Sequence, residues 1–261
     1  MIGKTSDLFD QGTPGHLNVA RWAASASVGH YDELRGKVIS NAADKTASLS
    51  QDWRDFFTHL GEEGLNDLNR KTESLARQIK DNGITYNVYA DAGGPQRPWS
   101  LDLFPMIMPT NDWLDIEKGV LQRVRLMEHI MADVYGAQSL LTSGMLPSAL
   151  VHGHPGYLRS MHGVAPVGGN HLHIVAFDLA RGADGRWWVV SQRTQAPSGL
   201  GYLLENRLSI SRLFPQPFEQ MKVQHLAATY RAMMDGIKSM SPAGAQAHIA
   251  LLTPGPYNET Y

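Results

Sequence analysis

Two apolar runs, residues 174–179 and 187–190, stand on either side of Asp184-Gly185, and this arrangement constrains the chain more than any other feature. An Asp-Gly pair between such runs predicts an antiparallel hairpin over 174–190, because both residues tolerate the left-handed backbone that a tight turn between twisted strands requires. Downstream, Pro197-Ser198-Gly199-Leu200-Gly201 supplies two glycines and a hydroxyl, the material of a loop whose backbone N–H groups can close on an anionic oxygen. A helix over 202–214 follows, with Leu203, Leu204, Leu208, Ile210 and Leu213 as its apolar positions. Asn206 and Arg207 lie on its first turns, so donors gather near the positive end of the helix dipole. Hairpin, polar loop and helix start together predict a phosphate or carboxylate site. Glycine and proline also punctuate ordinary turns, and a bare Gly-x-Gly is weak evidence of nucleotide binding, so an ordinary connection is the other reading of the same residues.

Composition narrows the choice. At 261 residues and 43% hydrophobic, the chain can bury a substantial core as one large domain or two smaller ones. No run of eighteen apolar residues occurs, and the opening MIGKTSDLFDQG lacks a continuous apolar segment. Neither membrane insertion nor export is supported, and the cytoplasm is the expected location. The absence of cysteine removes disulfides, thiolate zinc sites and a cysteine nucleophile together. A net charge of −2 and a pI near 6.6 provide no global reason to bind nucleic acid. Small-molecule chemistry fits better.

Along the chain, residues 1–50 are polar and small, with few bulky apolar positions, and predict loose structure with a short helical turn over 31–35. From Asp52 the pattern is helical. Trp53, Phe56, Phe57 and Leu60 recur at spacings of three and four, and Leu65, Leu68, Leu75 and Ile79 continue the pattern to Asn82-Gly83. Two helices packed against the main body are expected, so residues 1–83 read as a polar segment with a helical cap. At Ile84 the period turns alternating and predicts a strand over 84–90, where the second domain, 84–261, begins. Residues 101–109 read as an extended crossing. Asn111 as N-cap, acidic residues after it, an apolar stripe from Leu114 to Val134 and Gly136 as the stop predict a long helix. Gln122, Arg123 and Arg125 lie near its middle. His152, His154, His162, His171 and His173 invite a metal reading, but His-x-His needs a third ligand and a support that orients it. Ordinary hydrogen-bonded histidines are the expectation. A second long helix is predicted over 218–240 and a buried strand over 248–252, which makes the class α/β or α+β.

The run PSGLGYLLENR at 197–207, with Asp178-Leu-Ala-Arg181 and Asp184-Gly185 upstream, resembles the circularly permuted ATP-grasp proteins related to glutathionylspermidine synthase. LDLFP at 101–105, Trp113, Gln122-Arg123, DVYG at 133–136, GMLP at 144–147 and LTPGPYN at 252–258 follow in that family's order, so the resemblance covers 85–261. It implies a permuted ATP-grasp-like body, incomplete at its C-terminus, as the N-terminal portion of a longer protein whose remaining part would be a partner. It implies an ATP-dependent carboxylate–amine ligase acting through an acyl phosphate on small-molecule or peptide acids and amines. Arg181 and Arg207 would then be catalytic. Ser198, Gly199, Gly201, Asn206, Arg123 and Arg193 would meet ATP, and Asp178 would hold magnesium. One departure stands out: where ligase-like relatives end the second hairpin strand in Glu-Asp-Asn, with Glu and Asn as magnesium ligands, this chain has Ser191-Gln192-Arg193. A hydroxyl and a cation cannot replace a carboxylate and an amide carbonyl around magnesium. Weak or absent magnesium-dependent activity is therefore expected, with Arg193 meeting a phosphate or carboxylate directly. The alternative is a non-catalytic binding or assembly module that keeps the fold.

Overall fold

The structure is a computed structural model of the 261-residue chain and describes Val19 and residues 23–83, 85–86, 97–195 and 197–252. It mixes helices with small antiparallel sheets, an α+β arrangement. The first sheet pairs β1 (Tyr31–Asp32) with β2 (Lys37–Val38) where a helical turn was expected. The reason is Asp32, whose carboxylate accepts the backbone N–H groups of Ala26 and Arg35, each at 2.9 Å, and the Arg35 guanidinium at 3.0 Å. Such a side-chain bond to the backbone stabilises a turn at the expense of helix.

Helix α1 (Gln51–Asn66) buries Trp53, Phe56, Phe57 and Leu65, the residues whose spacing marked it. It kinks at Gly61, which adopts φ 68°, a conformation that costs glycine little. Helix α2 (Leu68–Asp81) buries Leu75 and Ile79. These side chains form one core with Leu49, Leu213 and Phe214, so the core draws on both sides of residue 83. Phe56 meets Phe214 edge-on at 5.3 Å. Lys71 donates to the Leu213 carbonyl at 2.7 Å with its ammonium over the Phe214 ring.

Helix α3 (Thr110–Val134) starts one residue before the expected cap. Pro109 holds extended backbone at φ −60°, ψ 149° and its carbonyl receives the Trp113 N–H, so the proline defines the boundary and Asn111 is already helical. At the other end Gly136 is required for space: a Cβ there would lie 2.6 Å from the Ala132 carbonyl oxygen. Two short helices, α4 (Ser139–Thr142) and α5 (Ser148–His152), follow.

The main hairpin forms as expected, with β5 (Ala176–Arg181) antiparallel to β6 (Trp187–Arg193) and Asp178 opposite Ser191. A bulge between Asp178 and Leu179 skips Val190. Gly185, at φ 79°, closes the turn by donating to the Gly182 carbonyl. Residues 174 and 175 do not join the ladder, contrary to expectation; just ahead of them the backbone N–H groups of His171 and Leu172 go to a carboxylate of α3.

Helix α6 (Leu200–Leu213) is followed by α7 (Pro215–Gln220) and α8 (Ala227–Ser239). The single helix expected over 218–240 is therefore broken. Lys222 is left-handed at φ 53°, Val223 donates to the Phe218 carbonyl and Lys222 to that of Glu219, which is the Schellman stop. The expected strand over 248–252 is also absent: these residues pair with no strand, and Leu251 and Leu252 are 87% and 97% exposed. A strand needs a neighbouring backbone, and none among the described residues supplies one. Of the strand expected over 84–90, only β3 (Thr85–Tyr86) falls within the described residues, paired with β4 (Arg97–Pro98).

Phe214 is 1% exposed at the junction of the two halves of the core. Phe214→Ala is expected to cost about 3–5 kcal/mol in urea unfolding, the usual cost of removing a buried aromatic ring; a cost below about 1 kcal/mol would show that the two halves are not joined there.

Candidate functional site

The hairpin has two chemically different ends. At the turn end, Arg181 is 8% exposed in its side chain. Its Nε donates to Glu33 at 2.9 Å, one terminal nitrogen to the Gly185 carbonyl at 3.1 Å and the other to Asp112 at 2.5 Å. The guanidinium is sandwiched by the rings of Tyr31 and Trp187, 4.4 and 4.3 Å from their centroids, and the Trp187 indole also donates to Asp112. Burial opposes its charge, but the hydrogen bond it donates to Asp112 and the negative charge of Glu33 outweigh that and raise its pKa. Burial likewise raises the Tyr31 pKa, against the opposing charge of Arg181. Each nitrogen of this arginine is committed to holding β1, β5 and α3 together.

At the open end, where β5 begins and β6 ends, the Asp178 carboxylate accepts the Ser191 hydroxyl and, at 2.8 Å, the Arg193 guanidinium. Both partners of this ion pair are about half exposed, at 46% and 57%. An exposed pair is worth only about 0–1 kcal/mol, so an incoming oxyanion can exchange with Asp178 at Arg193, whereas Arg181 cannot be recruited without undoing its clasp. Six residues after Arg193, Gly199 takes φ 106° as the N-cap of α6, with no side chain capping the helix. The first-turn N–H groups of α6 are thus left to solvent or ligand. Ser198, Gly199 and Gly201 are exposed beside them.

The remaining expected site residues lie apart from this end or serve packing. Asn206 accepts the Trp99 indole N–H at 3.0 Å. Arg207 donates to the Gln224 carbonyl at 3.0 Å and lies over Phe218, and burial lowers its pKa. Both tie α6 to its neighbours. Arg123 is exposed on α3 without a partner among the described residues.

One group was missed by sequence reasoning. Glu128, on the fourth turn after Asp112, accepts the backbone N–H groups of His171 at 2.8 Å and Leu172 at 2.9 Å, and the His171 ring Nδ1 lies 2.8 Å from it. Burial tends to raise this carboxyl's pKa, but the hydrogen bonds from His171 and Leu172 prevail and lower it. The other histidines are bonded locally: His152 with Ser148, His154 with the Gly156 N–H and His162 with the Gly136 carbonyl. Among the described residues no three metal-ligating side chains converge. No helix among them is long and apolar enough to cross a membrane.

The hairpin is followed, one short loop after Arg193, by a helix whose start is led by Gly199 and carries no side-chain cap. Comparison with known proteins specifies the family: residues 105–261 match circularly permuted ATP-grasp type 2, and the chain belongs to that family. Its relatives include an uncharacterised protein of Mycobacterium tuberculosis, 32% identical over 226 residues, which are 83% of this chain and 26% of that protein. A second, from Mycobacterium leprae, is 29% identical over 219 residues, 84% of this chain and 38% of the relative. A third, from Synechocystis, is 31% identical over 180 residues, 69% and 37% of the two chains. The chain thus spans between about a quarter and two fifths of these relatives' lengths.

Two outcomes test this geometry. Arg181→Lys removes the planar fork and the ring stacking, and is expected to lower stability by about 2 kcal/mol with nucleotide affinity unchanged; unchanged stability with lost binding would mark Arg181 as a ligand residue. Because the Glu128 pKa is lowered in the folded chain, its stabilisation is complete above its ordinary value of 4.5 and is lost as pH falls through the lower folded value. The amide NMR signals of residues 171 and 172 are expected to titrate together below pH 4.5, and Glu128→Gln to abolish that inflection.

Proposed function

We propose that this chain supplies the anion-handling end of an ATP-dependent carboxylate–amine ligase, chemistry of the kind known from glutathionylspermidine synthase-like proteins and suited to the cytoplasm. The observation that carries the reading is the exchangeable Asp178–Arg193 pair at the open end of the hairpin, one short loop before the uncapped, glycine-led start of α6. In such a reaction an oxygen of the acid attacks the terminal phosphorus of ATP and ADP leaves. The amine nitrogen then attacks the acyl carbon, the acyl C–O bond breaks and phosphate departs with its electron pair. Electrostatic stabilisation dominates phosphoryl transfer. In this reading Arg193 neutralises the transferred oxygens, and the backbone N–H groups that open α6, beside Ser198, orient them.

Magnesium fits this chain poorly. The Asp178 carboxylate is met by a hydroxyl and a guanidinium, and the Arg193 cation 2.8 Å from it opposes a second positive charge there. No step is therefore assigned to the metal, and Arg193 takes over charge neutralisation. The same observation favours a second reading, a module that binds the nucleotide without turnover.

ATP affinity measured by calorimetry is expected to be nearly the same in magnesium and in EDTA, and Ser191→Glu combined with Arg193→Asn to make it magnesium-dependent. Strong magnesium dependence of the unmodified chain would reject the assignment. Phosphate release from ATP that requires an added acid and amine separates the ligase from the binding module.

A further inference from the structure

A second cavity, of about 380 Å³, lies between α3 and the segment that leads into β5, lined by Val124, Arg125, Glu128, His129, Asn170 and Leu172. Its walls have distinct roles. Residues 124, 125, 128 and 129 are adjacent on one face of α3 by helical spacing. Glu128 is committed to the backbone of residues 171–172 and to the His171 ring, so it pins the facing wall, and its negative charge is opposed within the lining by the Arg125 cation. His171 is further steadied by stacking on Tyr135 at 6.0 Å, which stacks on Tyr157 at 5.2 Å. Arg125, His129 and Asn170, by contrast, have no hydrogen-bond or ion-pair partner among the described residues. The cavity therefore presents a planar cationic fork, an imidazole and a carboxamide around one space, with apolar floor from Val124 and Leu172.

We propose that this cavity receives the carboxylate of a small acyl compound, with Arg125 as the principal contact and Asn170 and His129 as lateral donors. The planar guanidinium matches a carboxylate in two parallel hydrogen bonds. The apolar floor suits an acid with a hydrocarbon or peptide body better than a bare phosphate. Position adds to this: Leu172 in the cavity wall is four residues ahead of Ala176, which pairs with Arg193, so that wall leads directly into the strand end that carries the Asp178–Arg193 pair. In naming the guest as the acid to be activated, the assignment rests on the ligase reading; carboxylate binding itself does not.

N-acetylglycine and inorganic phosphate are the probes, each titrated into the full chain while the ring signals of its histidines are followed by NMR. The expected result is that N-acetylglycine shifts the His129 signals saturably, that phosphate does so weakly or not at all, and that Arg125→Gln, on an exposed helical face, weakens N-acetylglycine binding about tenfold or more while circular dichroism and ATP affinity stay unchanged. Binding of phosphate in preference to N-acetylglycine, or N-acetylglycine binding that survives Arg125→Gln, overturns the proposal, as does a failure of N-acetylglycine to move the His129 signals. If N-acetylglycine binds as expected but ATP does not, the carboxylate site stands and the ligase reading is what fails.

Discussion

The arrangement of the hairpin depends on the burial of one cation. Arg181 would be costly to remove from water alone, but two carboxylates, a carbonyl and two aromatic faces surround it. Those partners come from β1 and the residue after it, the hairpin turn, β6 and the first turn of α3, so satisfying one guanidinium of β5 orients four segments around it. Sixteen residues further along α3, or about 24 Å at the helical rise, Glu128 gathers the backbone just ahead of β5. One helix thereby holds the hairpin through Asp112 at the turn and fixes the approach to its open end through Glu128. Arginine does this at the turn because it must satisfy several acceptors; a carboxylate does it at the other end because the groups to be satisfied are donors.

This division separates positioning from chemistry. The turn end is buried and its charges are mutually neutralised, which suits a fastening. The open end is exposed, and its ion pair is weak enough to be exchanged for a ligand. The Ser191 and Arg193 side chains act on Asp178 in the way a bound cation would, accounting for its negative charge within the chain. Family membership makes nucleotide chemistry the natural context.

Much of the fold was legible because it rests on local signals. The hairpin followed from Asp184-Gly185, and α1, α2 and α6 from apolar periodicity. The failures have physical causes of their own. The stop at Lys222 is a left-handed residue without glycine, invisible to apolar spacing; the short helical turn expected at 31–35 did not form because Asp32 reaches Arg35 and holds a turn between β1 and β2 instead. Residues 248–252 carry strand-like composition, but composition cannot create a partner. Of the candidate site, the Ser191 and Arg193 substitutions and the Gly199 loop were visible as residue types. Arg181, Asn206 and Arg207 were named for their donors, and sequence could not tell that packing partners engage each of them.

The sequence by itself determined the hairpin, the helices α1, α2, α3 and α6, and where the glycine-led loop lies, since these depend on residue identity and spacing of a few positions. Only the tertiary structure decided which arginine is committed and which is exchangeable, and that Glu128 closes one wall of a cavity whose other donors stay free. A charged side chain's role depends on the partners and the water around it, and those come from segments as far apart as Glu33, Asp112 and Arg181.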